Sequence, residues 1–393
     1  MTGSYALTGG RIFDGTAFLD NRALVIDGGR IKAIVEQADV TDAIERRDVG
    51  GCMIVPGFID LQVNGGGGVL LNNQPDIEGI RTICAAHAAF GTTALLPTLI
   101  TDTHDVRIKA VAAGAEAYAA RVPGYLGLHL EGPHLSVARK GTHDPSLIRP
   151  LENADLAYLL EAAGSFGEAL MTLAPESVSP GDVTRLVEAG YVVSLGHTDA
   201  RGQDILPYIS AGASMVTHLF NAMSQMANRE PGLVGVALAN GRLSCGLIAD
   251  GFHVDPTVMQ VALTAKRGPG RIFLVTDAMS TIGTDQQSFL LNDREVFRKG
   301  GRLTLADGTL AGADIDMLSC VRFVHEHLGL PLEEALNMAS LYPAEAIGCA
   351  TKGTLAAGLD ADFLLLRDDL SLAATFIAGE CVFGADVRQG VRA

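Results

Sequence analysis

Three residues with metal-binding side chains each lie at the end of a short apolar segment of the sequence. Glu131 ends GLHLE, His197 ends VVSLGH, and His218 lies in MVTHLF. Taken singly, a histidine in such a place is more often a hydrogen-bonded core residue than a ligand, and Glu131 could be a solvated loop carboxylate. Taken together, two imidazoles and a carboxylate form a set that binds a divalent metal and leaves one position open for water. Such an ion lowers the pKa of water to about 7 and polarises carbonyl oxygens.

Asp277 ends a further apolar segment, FLVTD. A carboxylate beside activated water can take its proton and pass it to a leaving group. The alternative is a helix N-cap, but the position at a strand end favours catalysis. Gln62 and Asn64 end the segment FIDLQVN, where a His-x-His pair would bring a second metal. Because amides are weaker ligands than imidazole, the pattern predicts one metal ion.

Eight apolar segments alternate with segments rich in Ala, Leu and Glu through the middle of the chain. The apolar segments, each predicted to be a strand, are residues 58–63, 92–99, 125–131, 169–175, 191–197, 214–220, 244–250 and 271–277. The predicted helices between them are residues 76–90, 103–121, 152–164, 180–189 and 203–212. Eight βα units predict an α/β protein with a closed (β/α)8 TIM-type barrel. The carboxyl ends of barrel strands meet at one mouth, so we expect the polar residues there to lie together.

The two ends of the chain have a different rhythm, with short alternating segments and glycine turns. This pattern is typical of antiparallel strands and hairpins. We therefore expect residues 1–55 and 350–393 to form one small β-sandwich domain, and residues 56–349 to form the barrel. A hairpin region is predicted at about 286–310, followed by two helices between about 314 and 348.

The composition excludes several classes of protein. The 393 residues are 48% hydrophobic and 19% charged, which is typical of a folded globular chain. The net charge of −16 argues against nucleic acid or an anionic membrane as a partner. No leader pattern and no apolar run of about 18 residues is present. The six cysteines include no CxxC pair, so we expect reduced thiols in a cytoplasmic protein.

Several motifs, taken in combination, resemble a known family along the whole chain. They include PGFIDLQVNGGGG (56–68), GLHLEGPHL (127–135), THLFNAM (217–223), REPGLVG (229–235) and LVTDAM (274–279). The combination resembles the N-acetylglucosamine-6-phosphate deacetylase family of the amidohydrolase superfamily. Members hydrolyse the acetamide of the phosphorylated amino sugar to glucosamine 6-phosphate and acetate.

The resemblance implies roles for individual residues. Glu131, His197 and His218 would bind one divalent metal per subunit, zinc with iron or cobalt as alternatives, and Asp277 would be the general base and then the general acid. The residues implied in substrate binding are Thr142, His143, Asn221, Ala222, Arg229, His253, Leu310, Ala311 and Gly312. An arginine that reaches into a neighbouring subunit's site implies a homodimer or homotetramer.

Three alternatives stay open on the sequence. A deacetylase of N-acetylgalactosamine 6-phosphate differs by the configuration of one hydroxyl group. A cyclic-amide hydrolase of the same superfamily would resemble two-metal enzymes with a His-x-His pair, and a barrel kept as a binding protein would have lost a ligand or the base. Asp314 and Asp316 replace small hydroxyl residues of the family pattern, so we expect added negative charge near the substrate loop.

Overall fold

The apolar segments predicted to be strands form one sheet in the computed structural model, which describes residues 4–384. Each strand pairs in parallel with the next along the chain. From first to eighth, the strands are Phe58–Val63, Thr92–Ile100, Gly127–Glu131, Glu168–Leu173, Tyr191–Leu195, Met215–Val216, Ser244–Leu247 and Ile272–Leu274. The first and eighth segments meet through a parallel bridge between Val63 and Ala278. The Asp277 N–H also donates to Gln62 O at 2.9 Å, and this seam confirms the predicted barrel.

Helices surround the barrel strands. They are Ile77–Ala88, His104–Ala119, Asn153–Ala162, Pro180–Glu188, Gly202–Ser210, Gly232–Ala239, Pro256–Ala265, Met317–Arg322, the π-helical turn Phe323–His327, Leu332–Ala339 and Leu341–Ile347. The predicted start near Ser179 is confirmed, because Ser179 Oγ accepts a hydrogen bond from the Asp182 N–H at 3.2 Å and caps the helix. The helix predicted at the end of the barrel region divides at Ser340. No helix in the described part of the chain is both long and apolar enough to cross a membrane.

A four-stranded antiparallel sheet follows the eighth barrel strand, where a hairpin region was expected. Its strands are Ser288–Leu291, Arg294–Lys299, Arg302–Thr304 and Leu310–Ala313. The sheet has its own small core, which includes Val296 and Leu303 together with Leu70 and Ile100 from loops and strands of the barrel. Arg294 also donates a hydrogen bond to the Thr142 carbonyl of a barrel loop. These contacts hold the sheet beside the mouth of the barrel.

The chain ends form two further sheets that share one apolar core. One sheet has the strands Arg30–Glu36, Arg22–Asp27, Tyr5–Thr8 and Glu45–Asp48, and the other has Glu380–Gly384, Leu372–Ile377, Phe363–Leu366, Met53–Pro56, Arg11–Phe13 and Phe18–Leu19. The shared core contains Leu24 and Ile26 of the first sheet and Phe363 and Phe376 of the second. Two pairs in these sheets are parallel rather than antiparallel. The predicted boundaries 1–55, 56–349 and 350–393 stay a prediction, and residues 1–3 and 385–393 lie outside the described range.

Candidate active site

Glu131, His197 and His218 converge at the carboxyl ends of the third, fifth and sixth strands. The two histidine Nε2 atoms are 3.0 Å apart, and each is 3.2 Å from Glu131 Oε1. All three side chains are buried. Ligand atoms about 2.0–2.1 Å from a tetrahedral ion stand roughly 3.3 Å from one another. The spacing of these three atoms therefore fits a shared metal ion.

The backbone at the site is held in an uncommon conformation. His197, His218 and Asp277 have φ angles of 48°, 31° and 52°. Left-handed conformations are costly for residues other than glycine and cluster at functional sites, where the surrounding fold enforces them. Each of these residues follows a barrel strand by two or three positions, so the turn redirects its side chain towards the mouth.

A hydrogen bond to the backbone orients His197. Its Nδ1 lies 2.8 Å from the Arg139 carbonyl oxygen, which can only accept. The proton of the neutral ring is therefore on Nδ1, and Nε2 presents a lone pair to Glu131 and His218. Such a bond to the outer nitrogen is the usual way in which a protein sets the tautomer of a metal-binding histidine.

His143 lies beside this cluster and is a second candidate ligand. Ligand atoms of Glu131, His143 and His197 all lie within 4.8 Å of one another. The set with His218 is tighter, at 3.0–3.2 Å, and it is therefore the better fit to one ion. The Nδ1 atom of His143 is already engaged by Thr101 Oγ1 at 2.7 Å. Burial, together with the nearby His197, lowers the pKa of His143 to about 3, so its ring is neutral.

Two amide side chains hold the carboxylates at the seam of the barrel. Asn64 Nδ2 donates to Asp277 Oδ1 at 2.6 Å. Gln62 Nε2 lies 3.3 Å from the same oxygen and 3.2 Å from Glu131 Oε1. Burial and the charge of Glu131 raise the pKa of Asp277. Burial would also raise the pKa of Glu131, but the neighbouring His197 and His218 lower it well below its usual value.

A cavity of about 400 Å³ opens above these side chains. This volume is within the range of small-molecule sites. Of the residues expected to bind substrate, the cavity is lined by Thr142, His143, Asn221, Ala222, His253, Leu310 and Gly312. His253 is held in place because its Nδ1 lies 2.6 Å from Asp250 Oδ2. The structure therefore brings most of the predicted substrate residues together with the predicted metal site.

Two predicted substrate residues lie elsewhere. Ala311 is fully buried in the small core under the four-stranded sheet and does not line the cavity. Arg229 is exposed and also does not line the cavity of its own chain. Its neighbour Glu230 pairs with Arg201 at 3.2 Å. Arg229 therefore does not belong to the site that a single chain forms.

Among the residues with polar side chains that line the cavity, the sequence pattern did not single out Arg139 and Thr309. Arg139 lies three positions before Thr142, which was expected to bind substrate, and this proximity in sequence was the available signal. The sequence pattern also did not show that Gln62 contacts Glu131 and that Asn64 contacts Asp277, because the residues of each pair are distant in sequence.

Asp314 and Asp316 have partners within the fold. Asp314 accepts hydrogen bonds from Arg298 Nε at 2.7 Å and Thr281 Oγ1 at 2.8 Å. Asp316 caps a helix by accepting from the Ser319 N–H at 2.8 Å. Neither residue lines the cavity. A guanidinium group therefore compensates the charge of Asp314 and a helix N-terminus that of Asp316, and the effect of these charges on the substrate loop stays a prediction.

A (β/α)8 barrel with two imidazoles and a carboxylate at its mouth, facing a further aspartate, defines a class of metal-dependent hydrolases. Comparison with known proteins agrees with this class. Residues 53–382 match the amidohydrolase family, and residues 4–54 match the NagA composite domain. The chain belongs to the amidohydrolase family and is a hydrolytic enzyme.

Individual relatives extend along most of the chain. An N-acetylgalactosamine-6-phosphate deacetylase of Shewanella sp. (strain ANA-3) is 46% identical over 333 residues, which cover 85% of this chain and 84% of the relative. The human N-acetylglucosamine-6-phosphate deacetylase is 37% identical over 383 residues, covering 93% and 92%. The crystal structure of N-acetylglucosamine-6-phosphate deacetylase from Pasteurella multocida superposes with a TM-score of 0.92 at 34% identity, covering 96% of this chain and 99% of that one. The resemblance predicted from the sequence motifs is confirmed.

Proposed function

We propose that the protein removes the acetyl group of N-acetylglucosamine 6-phosphate and releases glucosamine 6-phosphate and acetate. The observation that carries this proposal is the convergence of Glu131, His197 and His218 beside Asp277, in a cavity large enough for a sugar phosphate. Similarity along most of the chain to deacetylases of two amino-sugar 6-phosphates supports it.

Glu131, His197 and His218 would hold one divalent ion per subunit. The donor set suits zinc, and iron(II) or cobalt(II) are also compatible with it. When bound, the ion lowers the pKa of water and polarises the amide carbonyl. Gln62 and Asn64 occupy the two positions where a histidine pair would bind a second ion. Both direct their amide nitrogens at carboxylates instead. A cyclic-amide hydrolase with two metals is therefore disfavoured.

Asp277 moves the proton during the reaction. Its carboxylate accepts a proton from water while the water oxygen bonds to the acetamide carbon and the carbonyl electron pair moves to oxygen. When the carbon–nitrogen bond breaks, Asp277 returns the proton to the departing nitrogen. One water is consumed, and the products are the amine and acetate.

His143 is suited to donate a hydrogen bond to the carbonyl oxygen as it gains charge. Thr101 approaches Nδ1 with both its hydroxyl, at 2.7 Å, and its N–H, at 3.4 Å. Because Nδ1 accepts from Thr101 and the ring is neutral, the ring proton is on Nε2. A fixed neutral donor of this kind stabilises an oxyanion without itself being consumed as an acid.

His253 and the loop residues of the cavity would bind the sugar and its phosphate. The hydrogen bond between His253 Nδ1 and Asp250 leaves Nε2 available to the ligand. Arg229, which is exposed in its own chain, would reach the phosphate in a neighbouring subunit of a homodimer or homotetramer. The oligomeric state and the cytoplasmic location stay predictions.

The decisive experiment is to measure acetate release from N-acetylglucosamine 6-phosphate by purified protein of known metal content. We expect release that depends on about one bound ion per chain. Absence of release from protein that carries the metal would contradict the proposal.

N-acetylgalactosamine 6-phosphate is a second candidate substrate, because the relative from Shewanella is 46% identical. The ratio of kcat/KM for the two sugars separates the candidates. A preference of more than about tenfold, or about 1.4 kcal/mol, for the galacto sugar would reassign the substrate and leave the chemistry in place.

A further inference from the structure

The side-chain amide of Asn64 has a defined orientation. Its Nδ2 lies 2.6 Å from Asp277 Oδ1 and 3.3 Å from the Asp277 carbonyl oxygen. A carboxylate and a carbonyl oxygen both accept hydrogen bonds, so the donating end of the amide must face Asp277. The amide oxygen, Oδ1, therefore faces away from Asp277.

This oxygen is buried and has no hydrogen-bond partner within the described residues. Asn64 is only 3% exposed, yet it lines the cavity. Its backbone is anchored on both sides, since its N–H donates to Ala278 O at 2.8 Å and its carbonyl accepts from the Leu71 N–H at 3.0 Å. The side chain therefore has little freedom to find another partner. An unpaired buried acceptor is unfavourable, and at the edge of a cavity it indicates a group supplied by a ligand.

We propose that Asn64 Oδ1 accepts a hydrogen bond from the N–H of the substrate's acetamido group, while Asn64 Nδ2 fixes the carboxylate that protonates the same nitrogen. This inference rests on the proposed deacetylase function. Asp277 must lie close to the nitrogen in order to protonate it, and Asn64 is its immediate neighbour. The amide N–H of a bound substrate needs an acceptor, and no residue of the described chain donates a hydrogen bond to Asn64 Oδ1.

The proposed hydrogen bond strengthens during the reaction. The nitrogen becomes more positive as it receives the proton from Asp277, and hydrogen bonds from charged donors are stronger than those from neutral ones. An interaction that is stronger in the transition state than in the bound substrate raises kcat more than it lowers KM. Asn64 Oδ1 neither gains nor loses a proton. The same contact would favour an amide over an ester, because an ester oxygen carries no hydrogen.

Gln62 supplies a matched control. Its Nε2 also approaches Asp277 Oδ1, at 3.3 Å, but Gln62 does not line the cavity. Gln62→Leu therefore disturbs Asp277, and Glu131 with it, without removing an acceptor from the substrate. Asn64→Ala removes both the donor to Asp277 and the acceptor. Asn64→Asp has nearly the same shape and keeps an acceptor, but it loses the donor.

The experiment compares the acetamido substrate with an analogue in which an ester oxygen replaces the nitrogen. Steady-state kinetics would be measured for the wild type and the three variants, with the metal content of each preparation. We expect Asn64→Ala to lower kcat on the amide by about 10²-fold, as for loss of one donor or acceptor in a transition state. The decrease in kcat of Asn64→Ala on the ester should be about tenfold smaller than on the amide. This difference corresponds to about 1.4 kcal/mol of transition-state free energy.

Gln62→Leu should lower kcat with a smaller change in the amide-to-ester ratio than Asn64→Ala. Asn64→Asp should lower kcat on both substrates and keep the ratio of the wild type. The inference is overturned if Asn64→Ala and Gln62→Leu change the amide-to-ester ratio of kcat equally. It is also overturned if the ratio for Asn64→Asp falls below that of the wild type. In either case Asn64 would only position Asp277. Failure of the wild type on both substrates would instead remove the proposed function itself, and this inference with it.

Discussion

Asp155 is buried and Asp277 is half-buried, and the groups that surround the two aspartates are opposite in charge. Asp155 lies between two guanidinium groups: it accepts from Arg107 Nη2 at 2.5 Å and from Arg149 Nη2 at 2.7 Å. Asp277 lies beside a second carboxylate, Glu131, and is held by the neutral amides described above. In the part of the chain that the structure describes, neither Glu131 nor Asp277 pairs with a lysine or an arginine.

The two surroundings move the pKa in opposite directions. Burial would raise the pKa of Asp155, but hydrogen bonds from Arg149 and Arg107 lower it well below its usual value. Burial and the charge of Glu131 raise the pKa of Asp277. A carboxylate that is fully paired contributes to stability, whereas one with a carboxylate neighbour and neutral donors is prepared to take up a proton. Asp155 and its two arginines therefore form a structural charge cluster, whereas Asp277 and Glu131 form the proposed catalytic one.

Replacing Asp277 by Asn tests the chemical side of this comparison and has the largest expected effect. The variant cannot accept the proton of water, so kcat should fall by at least about 10²–10⁴-fold. Stability should not fall, because one of two like charges is removed. Acetate release and urea unfolding measure the two quantities. Near-normal turnover would show that Asp277 is not the base.

Replacing Asp155 by Asn is the matched change on the structural side. Arg107 and Asp155 have side chains only 4% and 5% exposed, and breaking a buried pair costs about 3–5 kcal/mol of unfolding free energy. The folded fraction of the variant should keep its kcat, since Asp155 lines no part of the cavity. A loss of kcat without a loss of stability would reverse the assignment of the two clusters.

The contribution of the Asp155 charge to the free energy of unfolding should depend on pH. The pKa of Asp155 is lower in the folded chain than the value near 3.9 expected when the chain is unfolded. Its contribution is therefore complete above pH ~4 and is lost as pH falls through the folded pKa. The stability gap between wild type and Asp155→Asn should shrink below pH ~4 in denaturant unfolding. A constant gap down to pH ~3 would mean that the charge of Asp155 is not the source.

Asp314→Asn has the smallest expected effect. Asp314 is paired with Arg298, so the substitution weakens a charge-assisted hydrogen bond worth about 1.5–3 kcal/mol. It should lower the melting temperature and leave kcat/KM close to that of the wild type. A large rise in kcat/KM would instead show that this charge opposes the substrate.

The strands and the main site residues were predictable because their signals are local. Apolar segments of strand length, separated by helical segments, indicate buried parallel strands. A polar residue at the end of such a segment needs no knowledge of its partners, since all barrel strands end at the same mouth. Glu131, His197, His218 and Asp277 were found in this way, and the structure brings them together.

The tertiary structure alone decided which side chains meet across the seam of the barrel. From the sequence, Gln62 and Asn64 indicated only that a histidine pair for a second metal is missing. The contact of Asn64 with Asp277 joins residues 213 positions apart, and the sequence did not show it. The same holds for Asp314, which meets Arg298 only because the turns of the four-stranded sheet bring the two side chains together. Hydrogen bonds need partners within about 3 Å and a suitable angle, and only closure of the barrel sets distances that fine. Residue type and order fix which groups are available, whereas the closed fold selects the pairs they form.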